Sequence, residues 1–199
     1  FIVALGPSGS GKSTLLNLMG GMDRPSEGEL YYREQKISDF TSEQLSDYRK
    51  DAVGFVFQFF HLIPTLTAKE NVELAASITK GARSAGEVLE LVGLSDRMKH
   101  FPSQMSGGEQ QRVSIARAIV KNPEILLCDE PTGALDSRNS IAVVKLLLEV
   151  RERLGCPVVT ITHNAEMARV ADRVFHMKDG KIVRVETNRC PVAAEELQW

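Results

Sequence analysis

Gly6-Pro7-Ser8-Gly9-Ser10-Gly11-Lys12-Ser13-Thr14 follows the apolar run Phe1-Ile2-Val3-Ala4-Leu5 and precedes Leu15, Leu18 and Met19 at helical spacing. It reads as strand, glycine-rich loop and helix. Gly6 to Ser13 satisfies G-x-x-x-x-G-K-[ST] in full. The spacing has a geometric reason. Glycines at 6, 9 and 11 let the backbone curl so that successive N–H groups point inward at phosphate oxygens. The helix behind them presents about half a positive charge at its N-terminus. Lys12 adds a full charge toward the β- and γ-phosphates, and Ser13 offers a hydroxyl to Mg²⁺. A plain turn between strand and helix would use the glycines but has no role for the Lys12–Ser13 pair.

A second stretch supplies the acids that such a loop needs. Ile125-Leu126-Leu127-Cys128 is an apolar strand that delivers Asp129 and Glu130 at its carboxyl end, where ligands of α/β folds bind. Asp129 is expected to hold Mg²⁺ through water, and Glu130 to orient or deprotonate an attacking water. Alone, this would be a strand ending in a polar turn before Pro131. Beside the phosphate loop it completes a nucleotide site.

Working outward, Glu29–Arg33 and Ala52–Phe57 read as strands, the latter ending at Gln58. From about Thr67 to Gln104 the chain is helical in character, with Glu70–Ser77 and Glu87–Val92 as the clearest pieces. A helix over Glu109–Val120 ends before Asn122-Pro123, and Glu124–Cys128 is the acid-bearing strand. Val143, Leu146, Leu147, Val150 and Leu154 form an amphipathic stripe, with Gly155 as its cap. Pro157–Thr162 is another strand, and Arg173–Lys178 and Lys181–Glu186 flank Asp179-Gly180 as a hairpin. Alternating strands and helices at both ends predict an α/β fold with a mostly parallel sheet, antiparallel strands at its edge and an inserted helical subdomain.

Composition narrows the class. With 24 basic and 26 acidic residues the net charge is −2, so there is no basic field and nucleic acid is not an expected partner. Cys128, Cys156 and Cys190 are widely spaced and read as ordinary thiols of a reducing compartment. The charge-free stretch Val53–Ala68 contains Gln58, His61 and Pro64, and falls short of the roughly 18 apolar residues a spanning helix needs.

Met105-Ser106-Gly107-Gly108-Glu109-Gln110-Gln111-Arg112 contains a capping box, Ser106-x-x-Glu109. A simple cap has no use for two glycines that each cost about 1 kcal/mol of helix stability. They leave the first-turn N–H groups open to a phosphate, so capping and phosphate binding are both expected. His61, His100 and His176 read as structural. His163 differs because it follows a buried strand that ends beside the phosphate site. Phe55, Phe57, Phe59, Phe60, Leu62, Ile63 and Pro64 surround Gln58, enough apolar residues outside a strand to suit a groove for another protein's helix.

Taken together, the phosphate loop, Gln58, Ser106–Arg112, Cys128–Pro131, Gly133-Ala134-Leu135-Asp136 and Thr162-His163 resemble, in that order, the ATP-binding-cassette ATPases, whose core is a RecA-like P-loop NTPase. Asn17–Gly28, Gly54–Asn71 and Ser106–Ser137 are similar to the branch serving lipoprotein release, macrolide export and antimicrobial-peptide resistance, which works with FtsX-like permeases. The resemblance implies one nucleotide-binding domain over residues 1–199, with 1–58 and 113–199 as the core and about 59–112 as the Gln58 loop and helical signature subdomain. It implies ATP and Mg²⁺ as cofactors, and a head-to-tail homodimer in which Ser106, Gly107, Gly108 and Glu109 of one copy close on the γ-phosphate held by the other's Gly6–Thr14. Glu130 is then the general base, Gln58 a sensor of metal and water, and His163 a γ-phosphate contact. Metal binding falls to Ser13, Gln58 and Asp129, while Asp136 communicates across the dimer. Phe59–Pro64, chiefly Phe59, Phe60 and Leu62, would grip the permease. The location implied is the cytoplasmic face of a bacterial cell membrane.

Met105 and Glu109 depart from the commonest leucine and glutamine, and acid at 109 fits this branch. The family also implies a strand and hairpin before the phosphate loop, carrying an aromatic residue that stacks on adenine. Only five residues precede Gly6, so the expectation is a cassette without its N-terminal edge strands or that stacking residue. Two other functions are weighed against a transporter subunit. A chromosome- or repair-type cassette ATPase would need a long coiled coil or paired cysteines between the two glycine-rich motifs. A non-hydrolytic regulator has no need of Lys12, Asp129, Glu130 and His163 together.

Overall fold

β1 (Ile2–Leu5) lies in the middle of the sheet because its residues are apolar on both faces, as a parallel strand covered by helices requires. The computed structural model describes residues 1–199. After β1 come α1 (Lys12–Met19), the short β2 (Tyr31–Tyr32) and β3 (Gln35–Lys36), α2 (Ser42–Asp51) and β4 (Val53–Val56). The middle of the chain holds α3 (Ala68–Ser77), α4 (Ala85–Leu91) and α5 (Gly107–Ile119). The last part carries β5 (Ile125–Asp129), α6 (Ser137–Leu154), β6 (Val158–Thr162), β7 (Arg173–Lys178) and β8 (Lys181–Thr187).

The main sheet runs β4-β5-β6-β1-β7-β8, parallel throughout except for the β7–β8 hairpin. Asp179 and Gly180 turn that hairpin with φ of 49° and 75°, the two positive values an Asp-Gly turn of this type needs. Strand residues divide by the period of two. Val3, Val56, Leu126, Cys128 and Val158 face a core shared with α3 to α6, while Ala4, Val53, Leu127, Val159 and Ile161 face Leu16 of α1 and Tyr48 of α2. Each fully buried Val, Leu or Ile contributes about 1.5–3 kcal/mol relative to exposure. The sheet is thus fixed from both faces, and its carboxyl edge is left for chemistry.

One local expectation changes, and one helix is new. Glu29–Arg33 is not a strand of the main sheet; Tyr31–Tyr32 pairs only with Gln35–Lys36, around Arg33 at φ 54°. The helix α2 has only Leu45 and Tyr48 as buried anchors and shows little apolar periodicity. Its start is written in polar residues: Thr41 and Gln44 form a reciprocal capping box.

Candidate functional site

Gly6 is a glycine because the chain leaves no room there. A Cβ would overlap the carbonyl oxygen of Met177 and the Ser10 hydroxyl. Gly9 and Gly11 have φ of 78° and 93°, which L side chains rarely adopt. Gly11 is the N-cap of α1, with no side chain accepting from the first-turn N–H groups and no acid among them. Those donors and the helix dipole therefore face whatever the loop encloses. Lys12 is 8% exposed and folds back along the loop, its ammonium donating to the carbonyls of Gly6 at 2.7 Å and Pro7 at 3.0 Å.

The loop opens on a cavity of about 740 Å³ with no hydrophobic residue in its wall. Pro7, Ser8, Gly9, Gly11, Lys12, Ser13 and Thr14 form one side, and Gln58, Asp129, Glu130 and His163 the other. Residues from four separate strand ends thus converge, as the sequence order predicts. Gly6 and Ser10 of the same loop do not line the cavity. None of the other three histidines lines the cavity.

Burial raises the Asp129 carboxyl above its ordinary value, the charge of Glu130 raises it further, and Lys12 opposes both. A divalent cation would bring the carboxylate form back. No group of three or more His, Cys, Asp or Glu exists to hold an ion unaided. That suits Mg²⁺, which takes one or two protein oxygens and completes its shell with phosphates and water. Ser13, Gln58 and Asp129, all oxygen donors, line the same cavity.

Glu130 sits at φ 43°, a positive value uncommon outside glycine. Both carboxylate oxygens are engaged. Oε2 accepts from the Thr162 hydroxyl at 2.9 Å, and Oε1 accepts from the His163 backbone N–H at 3.0 Å. His163 Nδ1 lies 2.9 Å from the same Oε1. An acid acceptor there places the proton on Nδ1 and leaves Nε2 for a ligand. Thr162 is the residue sequence reasoning named without giving it a task; its hydroxyl fixes the acid. Gln58 is held close too, since a Cβ on Gly133 would lie 2.8 Å from its amide nitrogen.

Ser106, Gly107, Gly108, Glu109 and Asp136 stand apart from this group and do not line the cavity. The Ser106 hydroxyl accepts from Glu109 N–H at 3.3 Å, and the Glu109 carboxylate accepts from Ser106 N–H at 2.8 Å and from Arg97 at 3.0 Å. These contacts hold the Glu109 carboxyl below its ordinary value, the Ser106 backbone N–H most of all. The two glycines separate. At Gly108 a Cβ would overlap the Asn139 side chain, whereas at Gly107 it meets only Leu135 and Phe60 at 3.5 and 3.7 Å. Gly108 therefore has a packing reason that the cap-versus-phosphate argument did not contain. Asp136 caps α6, accepting from Asn139 N–H at 2.9 Å.

Downstream of Gln58 the loop is stapled from below. Arg117 of α5 donates to the carbonyls of Phe60, at 2.8 Å, and His61. Asn71 of α3 accepts from Ile63 N–H at 2.8 Å and donates to the carbonyls of Ile63, Leu66 and Thr67. Phe60 and His61 both have positive φ, 59° and 48°. Phe59 is left 70% exposed, while Leu62 packs against the core.

A family model described as ABC transporter matches residues 1–133. The chain belongs to the ABC transporter family. Its architecture is that of the family's ATP-binding, ATP-hydrolysing cassette. It is similar to the lipoprotein-releasing system ATP-binding protein LolD of Syntrophotalea carbinolica, 45% identical over 186 residues that cover 91% of this chain and 82% of LolD. It is also similar to the macrolide export ATP-binding/permease protein MacB of Wolinella succinogenes. There the identity is 47% over 187 residues, 92% of this chain but 29% of MacB. Among solved structures it superposes, with a TM-score of 0.84 and 45% identity, on a dimeric post-hydrolysis state of the cassette MJ0796 bound to ADP and Pi, covering 96% of this chain and 86% of that one. No helix of this cassette is long and apolar enough to cross a membrane. Helices α3 and α4 have 10 and 7 residues, so the interval before the Ser106 segment holds no coiled coil.

Proposed function

We propose that the cassette works as a head-to-tail homodimer that binds Mg–ATP at two shared sites and passes its closure to a separate FtsX-like permease at the cytoplasmic face of the membrane. The observation that carries this reading is the Glu130 carboxylate, held by Thr162 and His163 in the wall of a cavity that Lys12 and Asp129 also line. In it Gly6–Thr14 cradle the phosphates through backbone N–H groups, and Lys12 redirects its ammonium from loop carbonyls toward them. Ser13, Asp129 and Gln58 would hold Mg²⁺, which supplies charge neutralisation at the phosphate oxygens. Glu130 takes a proton from the attacking water, and Gln58 orients that water. His163 contacts the γ-phosphate through Nε2.

The Ser106–Glu109 segment supplies donors to the partner's γ-phosphate, and Asp136 links the two sites. In this reading the core is 1–58 and 113–199 and the signature lobe is about 59–112. Exposed Phe59 on its stapled loop is the main permease contact, with Phe60 and Leu62 beneath it. LolD and MacB, by their names, serve lipoprotein release and macrolide export, which is why a permease of that branch is proposed.

Complementation tests the shared site. Lys12→Ala and Ser106→Arg are each expected to be inactive alone. Mixed, they form heterodimers in which one site has both an intact phosphate loop and an intact Ser106, and part of the activity returns. No recovery on mixing would mean that each chain builds its site alone. Phe59→Glu should separately weaken permease pull-down while sparing ATP binding.

A further inference from the structure

Behind Glu130 lies a second cavity of about 200 Å³ that no step above uses. Its walls include Glu130 and His163, then Leu135 and Ser137 on either side of Asp136, and Trp199, the only tryptophan in the chain. Trp199 is brought there by residues 188–199, a strap tied to the rest of the fold at many points. Ala194 and Leu197 are buried in the core shared with α6, and Glu195 pairs with Lys145 of that helix at 2.6 Å. The strap also grips the turn that directly follows His163. Val192 N–H donates to the Arg169 carbonyl at 3.0 Å, and Arg169 donates to the Glu196 carbonyl at 3.1 Å. Gln198 N–H donates to the Glu166 carboxylate at 3.1 Å. The Trp199 indole N–H is buried and has no acceptor in the chain.

We propose that Trp199 is a positioning residue: with its strap it sets Glu130 and His163 against the phosphate loop and couples them to the Asp136 segment on the same cavity wall. This rests on the roles of Glu130 and His163 proposed above. The physical argument is contiguity. The strap that seats Trp199 is hydrogen-bonded to Arg169 and Glu166 in the turn after His163, so what fixes the strap also fixes that turn, and a loosely held catalytic group loses rate before it loses binding. Nothing about the position was readable from the sequence, because residues 188–199 carry no motif.

The test uses the full chain. Trp199→Ala should lower kcat about tenfold at an unchanged KM for ATP, and Trp199→Phe should restore kcat to within about twofold. An unchanged kcat in Trp199→Ala, or a loss explained by a raised KM, overturns the role. A second measurement needs no change in the strap. Because Trp199 is alone, the tryptophan emission of the Glu130→Gln protein reports this cavity only, and it should change saturably as Mg–ATP is added. Emission that ignores saturating nucleotide overturns the proposal even where Trp199→Ala does not fold. Continued ATP turnover by Glu130→Gln, by contrast, is a failure of the assigned base and is read from the hydrolysis assay, independently of the emission.

Discussion

This molecule has two glycine-rich helix starts, and they are built on opposite plans. The start of α1 has Gly11 as its N-cap, no side-chain cap and no acid in its first turn. The start of α5 has Ser106 and Glu109 closing a reciprocal cap, with Arg97 reinforcing the acid. An uncapped helix end is unfavourable by itself and becomes favourable when an anion arrives. A capped end is stable without any ligand and offers less. The first plan suits a site that carries most of the binding free energy within one chain. The second suits a surface that must hold its shape while waiting for a phosphate presented by another chain.

The comparison is broken most severely at Lys12. Lys12→Ala removes the only lysine or arginine in the cavity wall, and kcat/KM for ATP should fall by about 10³-fold, mostly through lost binding. Isothermal titration decides this; micromolar affinity retained in Lys12→Ala would mean the backbone cradle suffices. Next in size is Glu130→Gln. It should keep ATP binding while hydrolysis falls by about 10²–10³-fold, and the protein should run as a nucleotide-trapped dimer on size exclusion. Turnover at the wild-type rate would remove Glu130 from the mechanism.

The two signature glycines sharpen the contrast further. Gly108→Ala forces a methyl into the Asn139 side chain, and unfolding free energy should drop by about 1–3 kcal/mol. Asn139→Ala in the same chain should return most of that loss. Gly107→Ala meets no such wall and should leave the denaturation midpoint unchanged or slightly raised, since alanine favours helix by about 1 kcal/mol. Its effect should appear in ATP hydrolysis, where the methyl shields first-turn donors. If both variants destabilise alike, Gly107 too is a packing glycine, and the capped start is not open to a phosphate.

How much of this was legible in the sequence depended on the range of the cause. Strands β1, β4, β5, β6 and β7 follow from apolar-rich runs with a glycine, proline or acid close to at least one end. They appear within a residue or two of where those signals fall. The convergence of Gly6–Thr14, Gln58, Asp129, Glu130 and His163 follows from strand ends on one sheet edge, a consequence of parallel topology. The helix α2 escaped a reading based on apolar spacing, although Thr41-x-x-Gln44 announces its start. The packing role of Gly108 was out of reach, because Asn139 is 31 positions away and no local pattern ties them. The strain at Glu130 and at Phe60–His61 is equally non-local: Thr162, His163 and Arg117 hold those positions from elsewhere in the chain.

The smallest effect is the one most specific to the capped start. The Glu109 carboxyl lies below its ordinary value because the Ser106 N–H, then Arg97, favour its charged form. A depressed carboxyl stabilises the fold fully above the ordinary carboxylate range, and the contribution is lost as pH falls through the lowered value. Glu109→Gln keeps an oxygen to accept from Ser106 N–H but gives up the charge. It should cost about 0.3–1 kcal/mol at neutral pH, the usual magnitude for an acid in a first helical turn. Thermal midpoints of the two proteins, compared across acid pH, should therefore converge as Glu109 protonates in the wild type. A gap of constant size from neutral to strongly acidic pH would show that charge at position 109 is not what stabilises α5. The native first turn of α1 carries no acid and so contributes no such acid limb, and the two helix starts are distinguishable by titration.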